Sequence, residues 1–151
     1  MGEEEIKNLS IGIVSSRFNN EIVEKISKAC ISKLQVLGVS KKNIIFKTVP
    51  GALEIPLALQ KMVISDDNIR GFDVMIAIGL VIRGDTYHFE IVSNESASGI
   101  MRVQLDHSIP IINAVLTTNS SKEALARVIV KGEEAAEGAI EMALKNYNNN
   151  D

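Results

Sequence analysis

The stretch that decides how this chain is read is "DVMIAIGLVIRGDTYHFE", residues 73–90. It opens with an apolar run, Asp73 to Ile82, dominated by Val and Ile and too short to span a membrane. Such a run predicts a strand covered on both faces. It stops on a mixture of charge, glycine, threonine and histidine, and a helical pattern then runs from Phe89 to about Leu105. A buried strand that ends in polar residues and turns into a helix is one β–α unit of a parallel sheet.

The same unit recurs on either side. "LSIGIVS" from Leu9, "NIIFKTV" from Asn43 and "PIINAVL" from Pro110 read as strands, and their near-continuous hydrophobicity again predicts burial on both faces. Helical segments follow from Asn20 to Leu37, Glu54 to Ile64 and Ser121 to about Asn146. Ser120 with Glu123 fits a capping box at the start of the last helix, and Pro56 falls in a first turn, where its missing N–H costs little. Strict β–α alternation predicts right-handed crossovers and a four-stranded parallel sheet with helices on both faces. The fold class is therefore α/β, a flavodoxin-like three-layer sandwich.

A chain of 151 residues with 46% hydrophobic content suits one domain, residues 1–151. Residues 1–8 and 146–151 read as frayed ends, the latter closing on the polar "NYNNND". With 23% charged residues and a net charge of −3, no basic excess marks the chain for nucleic acid or an anionic membrane. The acidic start "MGEEEIKN" lacks the basic and apolar regions of a secretory leader, which points to a cytoplasmic protein and removes meaning from the acceptor patterns "NES" and "NSS". Cys30, the single cysteine, lies on the apolar stripe Ile22, Ile26, Cys30, Leu34, Leu37 and reads as a small core residue. No disulfide and no cysteine metal site is expected.

In open α/β sheets ligands bind beyond the carboxyl ends of the strands. There the chain carries "SSRFN", "VPGALE", "GLVIRGDTYHFE" and "NAVLTTN". Gly84, Asp85 and Thr86, between strand and helix, suit a phosphate or carboxylate, and equally an ordinary helix start. His88, at a strand end beside this possible anion site, reads as a catalytic group rather than a structural hydrogen-bonder. Phe18 in a polar turn either stacks on a flat ligand or packs on a neighbour. Glu54 is either a carboxylate favoured by a helix N-terminus or an acceptor for a polyol. Arg127, four residues after Glu123, reads by periodicity as half of a solvated pair, and His107 carries no role. Neither a phosphate-loop pattern nor a dinucleotide fingerprint occurs.

Taken in order, "SSRFN", "VPGALEIPLA", "GLVIRGDTYHFE" with "NESASGI", "VLTT" and "KGEEAAEGAIEMA" resemble the lumazine synthase family, in register from about Ile11 to Leu144. The resemblance implies a cofactor-independent transferase of riboflavin biosynthesis, without metal. It would condense 5-amino-6-(D-ribitylamino)uracil with 3,4-dihydroxy-2-butanone 4-phosphate to 6,7-dimethyl-8-ribityllumazine. By the same resemblance Phe18 stacks on the pyrimidine, Ala52 and Glu54 hold the ribityl chain, and Val81 and Ile82 meet the pyrimidine through backbone groups. Gly84, Asp85 and Thr86 match the phosphate-contacting stretch, and His88 matches the proton-transfer residue. Arg127 matches an arginine that pairs with substrate phosphate, while Asn113 and Lys131 fall at further substrate-binding positions. The family builds each site across two subunits of a pentamer, with Arg127 coming from the neighbour.

Three features depart from the family pattern. Ala114 stands where a glycine is usual before "VLTT", and Glu123, Ala124, Leu125, Ala126 replace the common "EQA" sequence ahead of the arginine. Only Val128, Ile129 and Val130 separate Arg127 from Lys131, so a glycine-rich turn usual in cage-forming members is missing. The shortened connection predicts that the last two helices run together and that the assembly is a free pentamer rather than a larger cage. Two rivals share the alternation. A signalling receiver would need an acidic cluster where Ser15, Ser16 and Arg17 stand, and a non-catalytic relative that only binds flavin or assembles would not need His88 and Arg127.

Overall fold

The structure, a computed structural model, describes residues 2–65 and 71–148. The elements run α1 (Glu3–Lys7), β1 (Ile11–Ser16), α2 (Asn20–Val36), β2 (Ile44–Val49), α3 (Ile55–Ile64), β3 (Val74–Ile82), α4 (His88–His107), β4 (Ile111–Thr118), α5 (Ser121–Leu125) and α6 (Val128–Asn148). The sheet is four-stranded and parallel throughout, in the order β2-β1-β3-β4. Helices cover both faces, which gives the expected flavodoxin-like three-layer architecture.

The period of two along the strands sorts side chains between the layers. Ile13, Val74, Ile76, Ile78 and Leu116 face α2 and α6, where they meet Val23, Ile26, Leu34 and a run of alanines. Val14, Met75, Ala77, Val81 and Ile111 face α3 and α4, against Ile55, Leu59, Val92 and Val103. Cys30 is fully buried in the first layer, and that burial pushes its thiol up to about 12, as suits a core residue.

Burial on both faces holds for the central strands β1 and β3 and fails at the edges. Of β2 only Ile44 and Val49 are even partly buried, and β4 mixes buried with exposed positions. Edge strands share the Val and Ile content of central ones but have a neighbour on one side only. At the start of the chain, where a loose end is expected, residues 3–7 form α1. At the other end α6 continues through Asn148, and residues 149–151 lie outside the described residues.

The last two helices do not run together. α5 stops at Leu125, Ala126 and Arg127 form a turn, and α6 starts at Val128. The Arg127 N–H donates to Ala124 O at 2.9 Å, a tightened bond that ends the first helix. The capping box is present in altered form. The Glu123 N–H donates to Ser120 Oγ at 3.1 Å, while the Glu123 carboxylate accepts from the Asn119 N–H at 2.8 Å, one residue earlier than the usual partner.

α6 lies close on α2 because Gly132 has no side chain. A Cβ there would stand 2.6 Å from Ile26 O and 2.9 Å from Cys30 N, backbone atoms that cannot turn away. Alanine in a helix gains about 0.5–1 kcal/mol over glycine, but overpacking costs about 1–3 kcal/mol, so the clash wins. Gly132→Ala should destabilise the fold by about 1–2 kcal/mol, read as a lower urea midpoint, and an unchanged or raised midpoint would show that the two helices can separate freely.

Candidate active site

The carboxyl ends of β1, β2 and β3 close around a cavity of about 440 Å³ lined by Phe18, Pro50, Gly51, Ala52, Leu53, Glu54, Leu80, Val81, Ile82, Gly84, Thr86, His88, Phe89 and Val92. The volume suits a small organic ligand. Its walls are mainly apolar, and the polar groups sit at the rim.

Each wall has a local cause. Beyond β1 the chain stays paired with the β2 side: the Arg17 N–H donates to Val49 O at 2.8 Å and the Phe18 N–H to Pro50 O at 3.1 Å. This holds Phe18, 70% exposed, over the turn at residues 50–54 instead of in the core. In that turn the Glu54 N–H donates to Gly51 O at 3.1 Å, and a Cβ on Gly51 would stand only 3.1 Å from Glu54 Oε2. The glycine therefore lets the carboxylate fold back over the turn. Pro56 lies in the first turn of α3, as its chemistry favours.

Beyond β3, residues 83–87 form an exposed loop that ends at His88, the first residue of α4. The His88 N–H makes a long 3.4 Å contact with Thr86 Oγ1. A Cβ on Gly84 would meet no described protein atom within 4 Å, so the backbone there is open to an approaching group. Arg83, at the loop's root, pairs with Glu90 and holds its carboxyl below the usual carboxylate range, chiefly through that hydrogen bond. Because the shift is downward, the pairing is intact at neutral pH and is lost only in acid, as pH falls through the lowered value.

Phe18, Ala52, Glu54, Val81, Ile82, Gly84, Thr86 and His88 thus line one volume, and Asp85 lies in the loop between two of them. Arg127 is not among the lining residues. It is exposed in the turn between α5 and α6, where its Nη1 donates to Glu123 O at 2.9 Å. The pair expected from helical spacing is replaced by a bond to the backbone, because the Glu123 carboxylate is engaged at Asn119. Asn113 and Lys131 border a separate, smaller cavity of about 210 Å³ with Ile112, Ala114, Glu134 and Ala135. The Asn113 side chain accepts from the Val115 N–H at 2.9 Å. Ala114 is buried with the core between the sheet and α6, so its methyl group does not enter the cavity that holds His88.

The sequence reading gives no site role to Pro50, Gly51, Leu53, Leu80, Phe89 or Val92, which also line the cavity. All but Val92 lie within two residues of one it does name, Val92 lies one helical turn past His88, and an apolar side chain near a strand end gives no local sign of facing a ligand rather than the core. Among the described residues no helix is long and apolar enough to cross a membrane, and no three His, Cys, Asp or Glu side chains gather as a metal-binding group.

A family model described as 6,7-dimethyl-8-ribityllumazine synthase matches residues 8–146. Relatives bearing that name are close in sequence. The one from Nitrosospira multiformis is 57% identical over 137 residues, covering 91% of this chain and 83% of its own length. Those from Paraburkholderia phymatum and Burkholderia mallei are 56% and 55% identical over 135 residues, covering 89% of this chain and 76% of theirs.

Proposed function

The chain belongs to the 6,7-dimethyl-8-ribityllumazine synthase family, and from that premise we propose that it makes this lumazine in riboflavin biosynthesis. Its substrates are then 5-amino-6-(D-ribitylamino)uracil and 3,4-dihydroxy-2-butanone 4-phosphate. The observation that carries the reading is the single cavity at the strand ends, which brings an exposed aromatic face, a carboxylate and an imidazole around one ligand-sized volume.

In this reading Phe18 stacks on the pyrimidine, Ala52 and Glu54 hold the ribityl chain, and the backbone of Val81 and Ile82 meets the pyrimidine edge. The open loop of Gly84, Asp85 and Thr86 receives the phosphate, which the N-terminus of α4 favours. The pyrimidine's amine attacks the ketone and water leaves to give an imine. Phosphate is then eliminated, and the second nitrogen closes the ring with loss of water. His88 accepts and returns protons along this path. No electron leaves or enters the pair of substrates, which supports chemistry without a redox cofactor. Holding both substrates in register supplies much of the remaining rate.

Arg127, together with Asn113 and Lys131, is assigned to the site of an adjacent subunit, since none of the three lines the cavity of its own chain. Arg127 there clamps the phosphate bidentately. The chain acts as one domain of a cytoplasmic homopentamer, with neither nucleic acid nor membrane as partner. The three residues between Arg127 and Lys131 form the first turn of α6 in place of a glycine-rich turn, which favours a free pentamer, and native mass measurement should read that species. A closed cage of pentamers would show that this connection does not control assembly.

The function is tested by incubating the protein with both substrates in the presence of a chelator while following lumazine absorbance and released phosphate. The proposal expects the two signals to rise together. Binding of both compounds without turnover would identify a non-catalytic relative instead.

A further inference from the structure

Arg83 holds no part in the chemistry above, yet both its backbone and its side chain are engaged. Its backbone N–H donates to Thr118 O at 2.8 Å, carrying the β3–β4 pairing past Ile82. Its Nε donates to Asn119 Oδ1 at 2.9 Å, its Nη1 pairs with Glu90 in the first turn of α4, and the guanidinium lies 4.3 Å from the centroid of the Phe89 ring. Phe89 lines the cavity beside His88. On the far side, the Asn119 N–H donates to the Glu123 carboxylate at 2.8 Å, and Glu123 O accepts from Arg127 Nη1 at 2.9 Å. One hydrogen-bonded path therefore runs from the helix that starts with His88 to the turn that carries Arg127.

We propose that Arg83 is a positioning residue for the reaction, setting the phosphate loop and His88 in its own cavity and, through Asn119 and Glu123, the pose of Arg127. The inference rests on the roles given to His88 and Arg127 under the proposed function. The loop needs such an anchor. Residues 83–88 are all exposed, and α4 begins without a side-chain cap on its N-terminal residue, so little buried surface or capping fixes them. A lone exposed ion pair would contribute little. Here a planar fork engages a carboxylate, an amide oxygen and an aromatic face together, on a backbone already tied to the sheet. Lysine cannot reproduce this, because a single ammonium group lacks the directed fork.

The test uses Arg83→Gln, Arg83→Lys and Asn119→Ala in the full chain, with steady-state kinetics and amide exchange. Arg83→Gln should raise KM for butanone phosphate and lower kcat, each about tenfold, and leave KM for the pyrimidine within about twofold. Exchange should quicken at residues 84–88 and 124–127 and stay unchanged in the central strands. Arg83→Lys should not restore activity. Asn119→Ala, which keeps the Glu90 pair, should raise KM for butanone phosphate with a smaller loss of kcat. Unchanged kinetics and exchange in Arg83→Gln would overturn the proposal, as would equal weakening toward both substrates with faster exchange throughout. If Arg83→Gln does not fold, Asn119→Ala decides, and unchanged kinetics there would also overturn it. Failure of the proposed function is separate: the unsubstituted protein would form no lumazine, while the exchange measurement would still report whether Arg83 anchors the loop.

Discussion

Replacing His88 by alanine should lower kcat by about 10²- to 10³-fold while leaving KM for either substrate within about threefold. The geometry gives the reason. His88 stands at the rim of the cavity as the first residue of an exposed helix end. On the roles proposed above, a side chain so placed adds little to ground-state binding, which the apolar walls and Phe18 would supply, and its gain would come when protons move during imine formation and phosphate loss. Some activity should survive, because both substrates remain held side by side. Steady-state kinetics with each substrate varied in turn check this, and an unchanged kcat would remove His88 from the mechanism.

Arg127→Ala should act on binding instead. Hydrogen bonds to charged groups contribute about 1.5–3 kcal/mol, so KM for butanone phosphate should rise about ten- to a hundredfold. KM for the pyrimidine, which has no phosphate, should hardly change. The internal role of Arg127 is small: its guanidinium donates to Glu123 O in an exposed turn. Unfolding should therefore shift little. Equal weakening toward both substrates would mean that the residue serves folding rather than phosphate.

How far the sequence could be read depends on which kind of signal each feature leaves. β1 and β3 are legible because a strand covered on both faces is apolar along nearly its whole length: β3 is so throughout, and β1 is so up to Ser15 and Ser16 at its carboxyl end. β2 carries the same Ile and Val content and lies at an edge. Composition alone does not give a strand its place in the sheet, which is set by crossovers between segments far apart in the chain. The capping box at Ser120 is local and is read correctly, whereas its one-residue displacement onto Asn119 depends on the path of the turn. The break at Ala126 and Arg127 leaves no local signal: "ALARVIV" contains neither glycine nor proline, although the chain turns there.

The candidate site divides in the same way. Phe18, Glu54, Gly84, Thr86 and His88 are odd residues at strand ends, and the parallel sheet brings them to one cavity. Arg83 shows as a charge in a motif, but its partner Asn119 lies 36 positions away and no spacing rule connects them. Arg127 looks like half of a helical pair until Glu123 is seen to be engaged elsewhere.

The central claim, that one chain's cavity is finished by Arg127 of the next, is tested most directly by co-refolding His88→Ala with Arg127→Ala subunits and measuring lumazine formation at butanone phosphate well below its KM, where both variants are impaired. Each variant alone carries a damaged group at every site. Random assembly from equal amounts unites an intact His88 with an intact Arg127 at about one interface in four, so the mixture should recover about a quarter of the unsubstituted activity. A mixture no more active than the average of its two components would contradict a site shared between subunits.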